Sequence, residues 1–330
     1  MNKEPYHLIE TQTAEEFMDT LNPLKLPEIC RQNIIYRGQS NSEWTLTPSL
    51  FRNDQFGIKS GWSSNKILRY EMTILHIFIE NMGKINLTDH RISSLTNVLR
   101  KIASDVHNHE ALYSMSNAQN ALNPHTKTRC YPTPLSHGMW PANDILELLA
   151  LAQHSGLPTR LLDWTYSPYV AAHFAAFSLI GKKINNDQKI AVWSVDKSYT
   201  NKTYDLPRRH GDLETNIYRL EPPFLGSNPN AIFQSGCFLF IKKVTSDAPF
   251  KETNLDEYLP IVENEDGKKS ETAFRKTTVP AKEIFKIIEI CELFGVSHSK
   301  LFRSYEGCAE EAKVSLPGTK NIIDHYDSST

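Results

Sequence analysis

The chain has 330 residues, 40% of them hydrophobic and 22% charged, with 36 basic against 38 acidic side chains. That length buries a sizeable core as one large domain or two smaller ones, and a net charge of −2 excludes a global positive field for duplex DNA while leaving a local basic surface open. Cys30, Cys130, Cys237, Cys291 and Cys308 are odd in number, far apart and without a C-x-x-C pair, so neither a zinc site nor a disulfide framework is suggested and a reducing cytosol fits best.

No stretch approaches the roughly 18 apolar residues of a membrane span, and Met1-Asn2-Lys3-Glu4-Pro5 lacks the basic-then-apolar pattern of a secretory signal. The expectation is a cytoplasmic protein with no membrane partner.

Residues 13–21 read as a short helix capped by Thr13, with Glu16 at the reciprocal capping position and Phe17 and Leu21 on one side. Asn33-Ile34-Ile35-Tyr36-Arg37 is a strand ended by Gly38, which makes Arg37 its last residue. Residues 62–82 form an amphipathic helix on the stripe Ile67, Tyr70, Ile74, Phe78 and Met82. Residues 105–141 lose periodicity and read as an insertion or mobile loop.

Residues 142–155 restart a helix through Ile145, Leu148, Leu149 and Ala152, and Gly156 ends it in a left-handed turn. After Leu161-Leu162, the run Asp163 to Pro168 is a strand end turning into a second helix, with Pro168 at its first position and Gly181 beyond its last. Residues 189–195 are a strand and 202–230 largely irregular, with four prolines. Further strands are read at 237–244 and 272–279, then a helix over 281–294 ended by Gly295, and a polar tail from Pro317. No internal repeat is visible, so solenoids drop out.

The strand-to-helix junction at 163–168 exposes backbone N–H groups and short hydroxyls, a setting for an anion and for phosphate above all. Arg37 at a strand end offers a fork for two phosphate or carboxylate oxygens, beside a glycine that lets a ligand approach; an arginine bonded to a carboxylate or to loop carbonyls explains the tripeptide equally. Ser167 is the simpler cap before Pro168, which leaves Asp163 to orient Arg37 or Arg160 or to act as a base. Trp164 offers a stacking face or is core. His154 sits where a helix C-terminus favours imidazolium, or satisfies loop carbonyls. Gln234 cannot act as a base, so its work is hydrogen bonding or orientation. No G-x-G-x-x-G, P-loop, G-x-S-x-G or H-E-x-x-H occurs, which sets aside Rossmann, NTPase, α/β-hydrolase and zincin readings, and no metal site is expected.

Three blocks in order resemble the FRG domain: Tyr36-Arg37-Gly38-Gln39 with Trp44, Leu46, Pro48 and Arg52; Gln153-His154 through Trp164-Thr165 with Ala171 to Ala175; and residues 230–240 with Gln234-Ser235-Gly236. Val279-Pro280-Ala281-Lys282 and the closing helices extend the likeness over about residues 30–310 of a single FRG-type domain. The same blocks are similar to ADP-ribosyltransferases, which carry an arginine at the end of the first core strand, a Ser/Thr-rich strand end leading into a helix, and a glutamate on a third strand. Gln234 stands where that glutamate is expected.

The resemblance implies an α+β fold with an ADP-ribosyltransferase-like split β-sheet core from strands near residues 34, 161, 190, 238 and 275, and helical insertions between 60 and 140. It implies NAD as substrate, with Arg37, Asp163 and Gln234 as catalytic residues and Arg37, Gln39, His154, Arg160, Trp164, Thr165 and Ser167 holding the dinucleotide. The acceptor is then a macromolecule, single-stranded RNA ahead of protein, and the protein a toxin or antiviral-defence effector with an inhibitory antitoxin partner. Two alternatives are a non-catalytic nucleotide- or nucleic-acid-binding module, and a metal-independent nuclease using His154 with Asp163.

Overall fold

All five strands expected from sequence stand in one sheet of eight. The computed structural model describes residues 6–52, 58, 61–86, 97, 139–141, 143–202, 209–210, 213–214, 216–221, 232–244, 254–259 and 273–314. Of the loop expected over 105–141, residues 105–138 lie outside these residues, as does the tail from 317, while Met139–Trp140 form a short strand rather than loop. Two compact units divide the chain: one comprises Met1–Thr47, Leu162–Phe240 and Asn254–Thr330, the other Pro48–Leu161 and Ile241–Thr253.

The first unit carries β1 (His7–Glu10), β2 (Ile34–Gln39), β4 (Leu162–Thr165), β5 (Lys189–Asp196), β6 (Asn201–Lys202), β9 (Ile217–Leu220), β10 (Gly236–Ile241) and β12 (Phe274–Pro280), ordered β1-β12-β5-β2-β4-β10-β9-β6. β12 runs antiparallel to β5, β5 to β2, and β4 to β10, whereas β1 lies parallel to β12 and β6 to β9. The protein is therefore a mixed α/β fold. A two-strand ribbon of β7 (Arg209–His210) and β8 (Leu213–Glu214) interrupts the segment read as irregular. That reading also missed β9, whose Ile-Tyr-Arg-Leu is short but wholly buried between prolines.

One face of the sheet is covered by three helices. α1 (Ala14–Thr20) is capped as expected, Thr13 accepting from the Glu16 N–H, and the Glu16 carboxylate accepts from the N–H of Gln12 at 2.9 Å. α4 (Pro168–Phe177) has Ser167 as its cap and Pro168 at its first position. α5 (Ile284–Leu293) ends before Gly295, which takes the left-handed φ of +80°. Phe17, Ala171, Ala175, Ile284 and Ile287 pack here against Ile34, Tyr36, Ile190 and Val192.

Gly38 does not end β2, which continues to Gln39. A Cβ at Gly38 would stand 2.0 Å from the Ala171 carbonyl oxygen and 2.8 Å from the Ala175 nitrogen, both backbone atoms that cannot yield. The glycine is there because α4 lies directly on the strand.

The second unit holds α2 (Ser64–Lys84), α3 (Leu146–His154) and the ribbon of β3 (Met139–Trp140) with β11 (Lys243–Val244). α2 does not bury the expected stripe. Ile67, Leu68, Met72, Leu75 and Ile79 are inside and Glu71 with them, while Tyr70, Ile74 and Phe78 are only partly covered. Both stripes have helical spacing, and the buried one is rotated because Glu71 carries two internal partners. Arg160 donates to it through Nε at 2.8 Å and also through Nη2, and Trp140 donates through Nε1 at 2.8 Å. Among the described residues no helix is long and apolar enough to cross a membrane.

Candidate functional site

Antiparallel partners share a face of a sheet, and the register here lines up a row of side chains across five strands. Arg37 faces Trp193, which faces Lys276; the pair Tyr36↔Thr165 sets Arg37 opposite Trp164, and Trp164 faces Cys237. The row therefore reads Lys276, Trp193, Arg37, Trp164, Cys237, on the face away from the three helices. Cations alternate with indoles, and the Lys276 ammonium stands 4.9 Å from the centre of the Trp193 ring.

Arg37 is 13% exposed and its Nη1 donates to the carbonyl of Asp163 at 2.6 Å. β2 and β4 pair at Tyr36↔Thr165, and the Asp163 carbonyl bonded by Arg37 lies two residues before Thr165. The Asp163 carboxylate, 70% exposed, lies 3.9 Å from Nη1. Trp164 is 3% exposed, so its ring is core, yet its Nε1 meets no hydrogen-bond acceptor among the described residues.

The turn after β4 joins the second and third sequence blocks. Thr165 Oγ1 donates to the Gln234 carbonyl at 2.7 Å and accepts from the Ser167 N–H at 3.1 Å, and the Tyr166 N–H donates to the Ser235 carbonyl at 2.9 Å. Ser235 takes a φ of +48°, the left-handed region, which turns the chain sharply into β10. The Gln234 amide donates to the Leu301 carbonyl at 3.3 Å. Arg37 on β2, Trp164 and Thr165 on the neighbouring β4, and Gln234 in the turn before β10 are thus joined from positions nearly 200 residues apart in sequence, with Thr165, the partner of Tyr36, on the helix-covered face and Arg37 and Trp164 on the other.

The other sequence candidates are placed differently. Gln39 is buried, donating to the Thr45 carbonyl at 3.0 Å and accepting from Trp193 Nε1 at 2.8 Å. Arg160 is buried against Glu71 in the second unit, with the Phe51 ring 5.8 Å from its guanidinium. His154 is exposed at the end of α3.

A polar cluster beside the Thr165 turn escaped the sequence reading. Tyr166 donates to Glu221 at 2.7 Å, Arg219 Nε donates to the same carboxylate oxygen at 2.6 Å, and the Lys197 ammonium lies 4.9 Å from the Tyr166 ring. Burial pushes the Glu221 carboxyl up, but hydrogen bonds from Tyr166 and Arg219 and the charges of Arg219 and Lys197 outweigh it, holding the group below its usual range. Burial raises the Tyr166 phenol, and burial pushes the neighbouring Cys237 thiol up to about 12, so neither ionises at neutral pH. Glu221 lies just past β9, the strand concealed among prolines, and Arg219-x-Glu221 on that short apolar run was the available signal.

These strands and helices define a mixed α/β protein built on one open eight-stranded sheet. Residues 32–182 match the FRG domain, which takes in the blocks at Tyr36–Gln39 and at 153–176 but not the third block around Gln234 or the closing helices. No curated protein and no solved structure matches the chain.

Proposed function

We propose that the protein is an NAD-dependent ADP-ribosyltransferase acting on a macromolecule, single-stranded RNA in preference to protein, as a toxin or antiviral-defence effector of the cytoplasm held in check by an inhibitory partner. One observation carries the reading: Arg37 donates to the Asp163 carbonyl beside Trp164, and Thr165 on the same strand end donates to the Gln234 carbonyl, so three blocks read separately from the sequence are bonded together at the end of β4.

Cleaving the nicotinamide–ribose bond sends the bonding electron pair to nicotinamide and leaves positive charge on the ribose, which the acceptor nucleophile then quenches at the anomeric carbon. The protein must hold the dinucleotide in place and stabilise that charge. Arg37, partly open to solvent, is the guanidinium for the pyrophosphate. Thr165 and Ser167 offer hydroxyls for ribose or phosphate, Trp164 the wall, and Gln234 orientation of ribose or acceptor. Asp163, exposed and 3.9 Å from Arg37, is the carboxylate for the developing charge.

A binding module that breaks no bond is the second reading, favoured by the amide of Gln234 and its donation to Leu301. Incubating purified protein with labelled NAD and cell lysate separates the readings. Label transfer that falls at least about 100-fold in Arg37→Ala, the scale of a lost charge-stabilising donor, supports the transferase. Absence of transfer with retained nucleotide binding supports the module, and nucleic-acid breakdown without NAD supports a nuclease.

A further inference from the structure

We propose that a cleft of about 750 Å3 at the β1 side of the sheet is a second ligand site, built for a nucleoside phosphate. Its volume falls within the roughly 300–1,000 Å3 of ligand pockets. It lies in the first unit, where the turn after β2 meets the start of β5, and no step proposed for Arg37 uses it.

One wall is Trp44, which is 51% exposed, whereas Leu46 and Leu50 just beyond it are almost fully buried. A large indole left half in water costs hydrophobic free energy unless something covers it. Its turn is firmly held: the Trp44 N–H donates to the Asn41 carbonyl, the Ser42 N–H to the Lys189 carbonyl at 2.8 Å, and Gln188 Nε2 to the Ser40 carbonyl at 3.1 Å. A flat face presented on a rigid rim is a platform for a base.

The charges around it are mixed. Lys189 is closed by Glu10 at 2.5 Å. Lys182 and Lys183, exposed beyond α4, and Lys276, at the end of the cation and indole row, bring the ammonium groups. Glu43 and Asp187 stand among them with Asn41, Asn185 and Gln188. Counted whole, the lining carries four lysines against three carboxylates, a small net positive charge that suits a single phosphate rather than a polyanionic groove. The carboxylates and amides are acceptors and donors for ribose hydroxyls and a base edge. Stacking face, hydroxyl readers and phosphate cations together describe one nucleotide, either free or as a residue of a single strand.

Calorimetric titration of the full chain with adenosine, AMP and an eight-nucleotide single-stranded RNA tests this. AMP binding identifies the free nucleotide as the source of the ligand, and binding of the RNA alone identifies a strand. In either case Trp44→Ala is expected to weaken binding roughly ten-fold or more, the scale of one lost base stack, and Lys182→Glu/Lys183→Glu to erase the preference of AMP over adenosine. All three residues are exposed, so unchanged thermal melting verifies the fold. Arg37→Ala leaves this binding in place while removing label transfer, so failure of the transferase reading is read separately. Neither ligand binding at millimolar concentration, or both variants binding like the parent, overturns the proposal.

Discussion

Two arginines read from sequence as ligand-holding candidates have opposite surroundings. Arg160, in the second unit, is buried and its fork is closed on Glu71, which Trp140 also binds. Arg37, in the first unit, is partly open, its Nη1 on a backbone carbonyl and a mostly exposed carboxylate 3.9 Å away. The guanidinium chemistry is the same. A buried ion pair with every oxygen satisfied is part of the structure, and removing one partner strands a charge in low dielectric; the carboxylate beside Arg37 is instead 70% exposed, so its charge stays in water when the guanidinium is removed.

The contrast can be broken by measurement. Glu71→Ala is expected to destabilise by about 3–5 kcal/mol, the cost of an uncompensated buried charge, whereas Arg37→Ala, at a side chain whose Nη1 bonds a backbone carbonyl and stands beside an exposed carboxylate, is expected to cost about 1.5–3 kcal/mol. Urea denaturation decides it, and equal losses would erase the distinction between the two sites.

His173 sharpens the comparison from the other side, as a group 1% exposed with neither ring nitrogen bonded among the described residues. It stacks on Phe177 with ring centres 5.1 Å apart and lies 5.9 Å from His298, the first residue of α6 (His298–Leu301). Burial, with the nearby charge of His298 and against that of Glu311 on α7 (Tyr305–Val314), lowers its pKa from 6.5 to about 4. The folded state therefore takes up this proton less readily than the unfolded chain. Its stabilising contribution is complete above about pH 6.5 and is lost as pH falls toward about 4, in total about 3 kcal/mol. His298, on which Glu310 and Glu311 act, is lowered by burial too and adds to the slope. His173→Leu should flatten stability against pH over that range, and an unchanged profile would show that another group sets it.

The smallest expected effect is at Ser167, whose hydroxyl accepts from the Val170 N–H as the cap of α4. Ser167→Ala should cost about 1 kcal/mol in denaturant melts. No change would mean the cap is dispensable and the hydroxyl is kept for the site.

Much of this was legible in the sequence. Thr13, Ser167, Pro168, Gly156 and Gly295 mark helix ends within a turn or two of chain, where capping geometry is local, and the structure places them so. The strands at 34, 162, 189, 236 and 274 carry enough β-branched and aromatic residues to declare themselves. β9 did not, because four residues, three of them apolar and one an arginine, between proline-rich stretches fall below any periodic signal. The stripe of α2 was misread because a carboxylate on the buried face looks improbable until its arginine and indole partners, 89 and 69 residues away, are known. Gly38 was assigned to a ligand for the same reason, its true neighbour being a helix 133 positions later.

By itself, then, the sequence determined where helices begin and end, which runs are extended, and which blocks resemble the FRG domain, since these depend on neighbours within a few residues. Only the tertiary structure decided which arginine is closed and which is open, that Thr165 meets Gln234, and that Glu221 joins Tyr166. Those outcomes follow from strand order and register, and a pairing between distant segments leaves no periodic trace in either one.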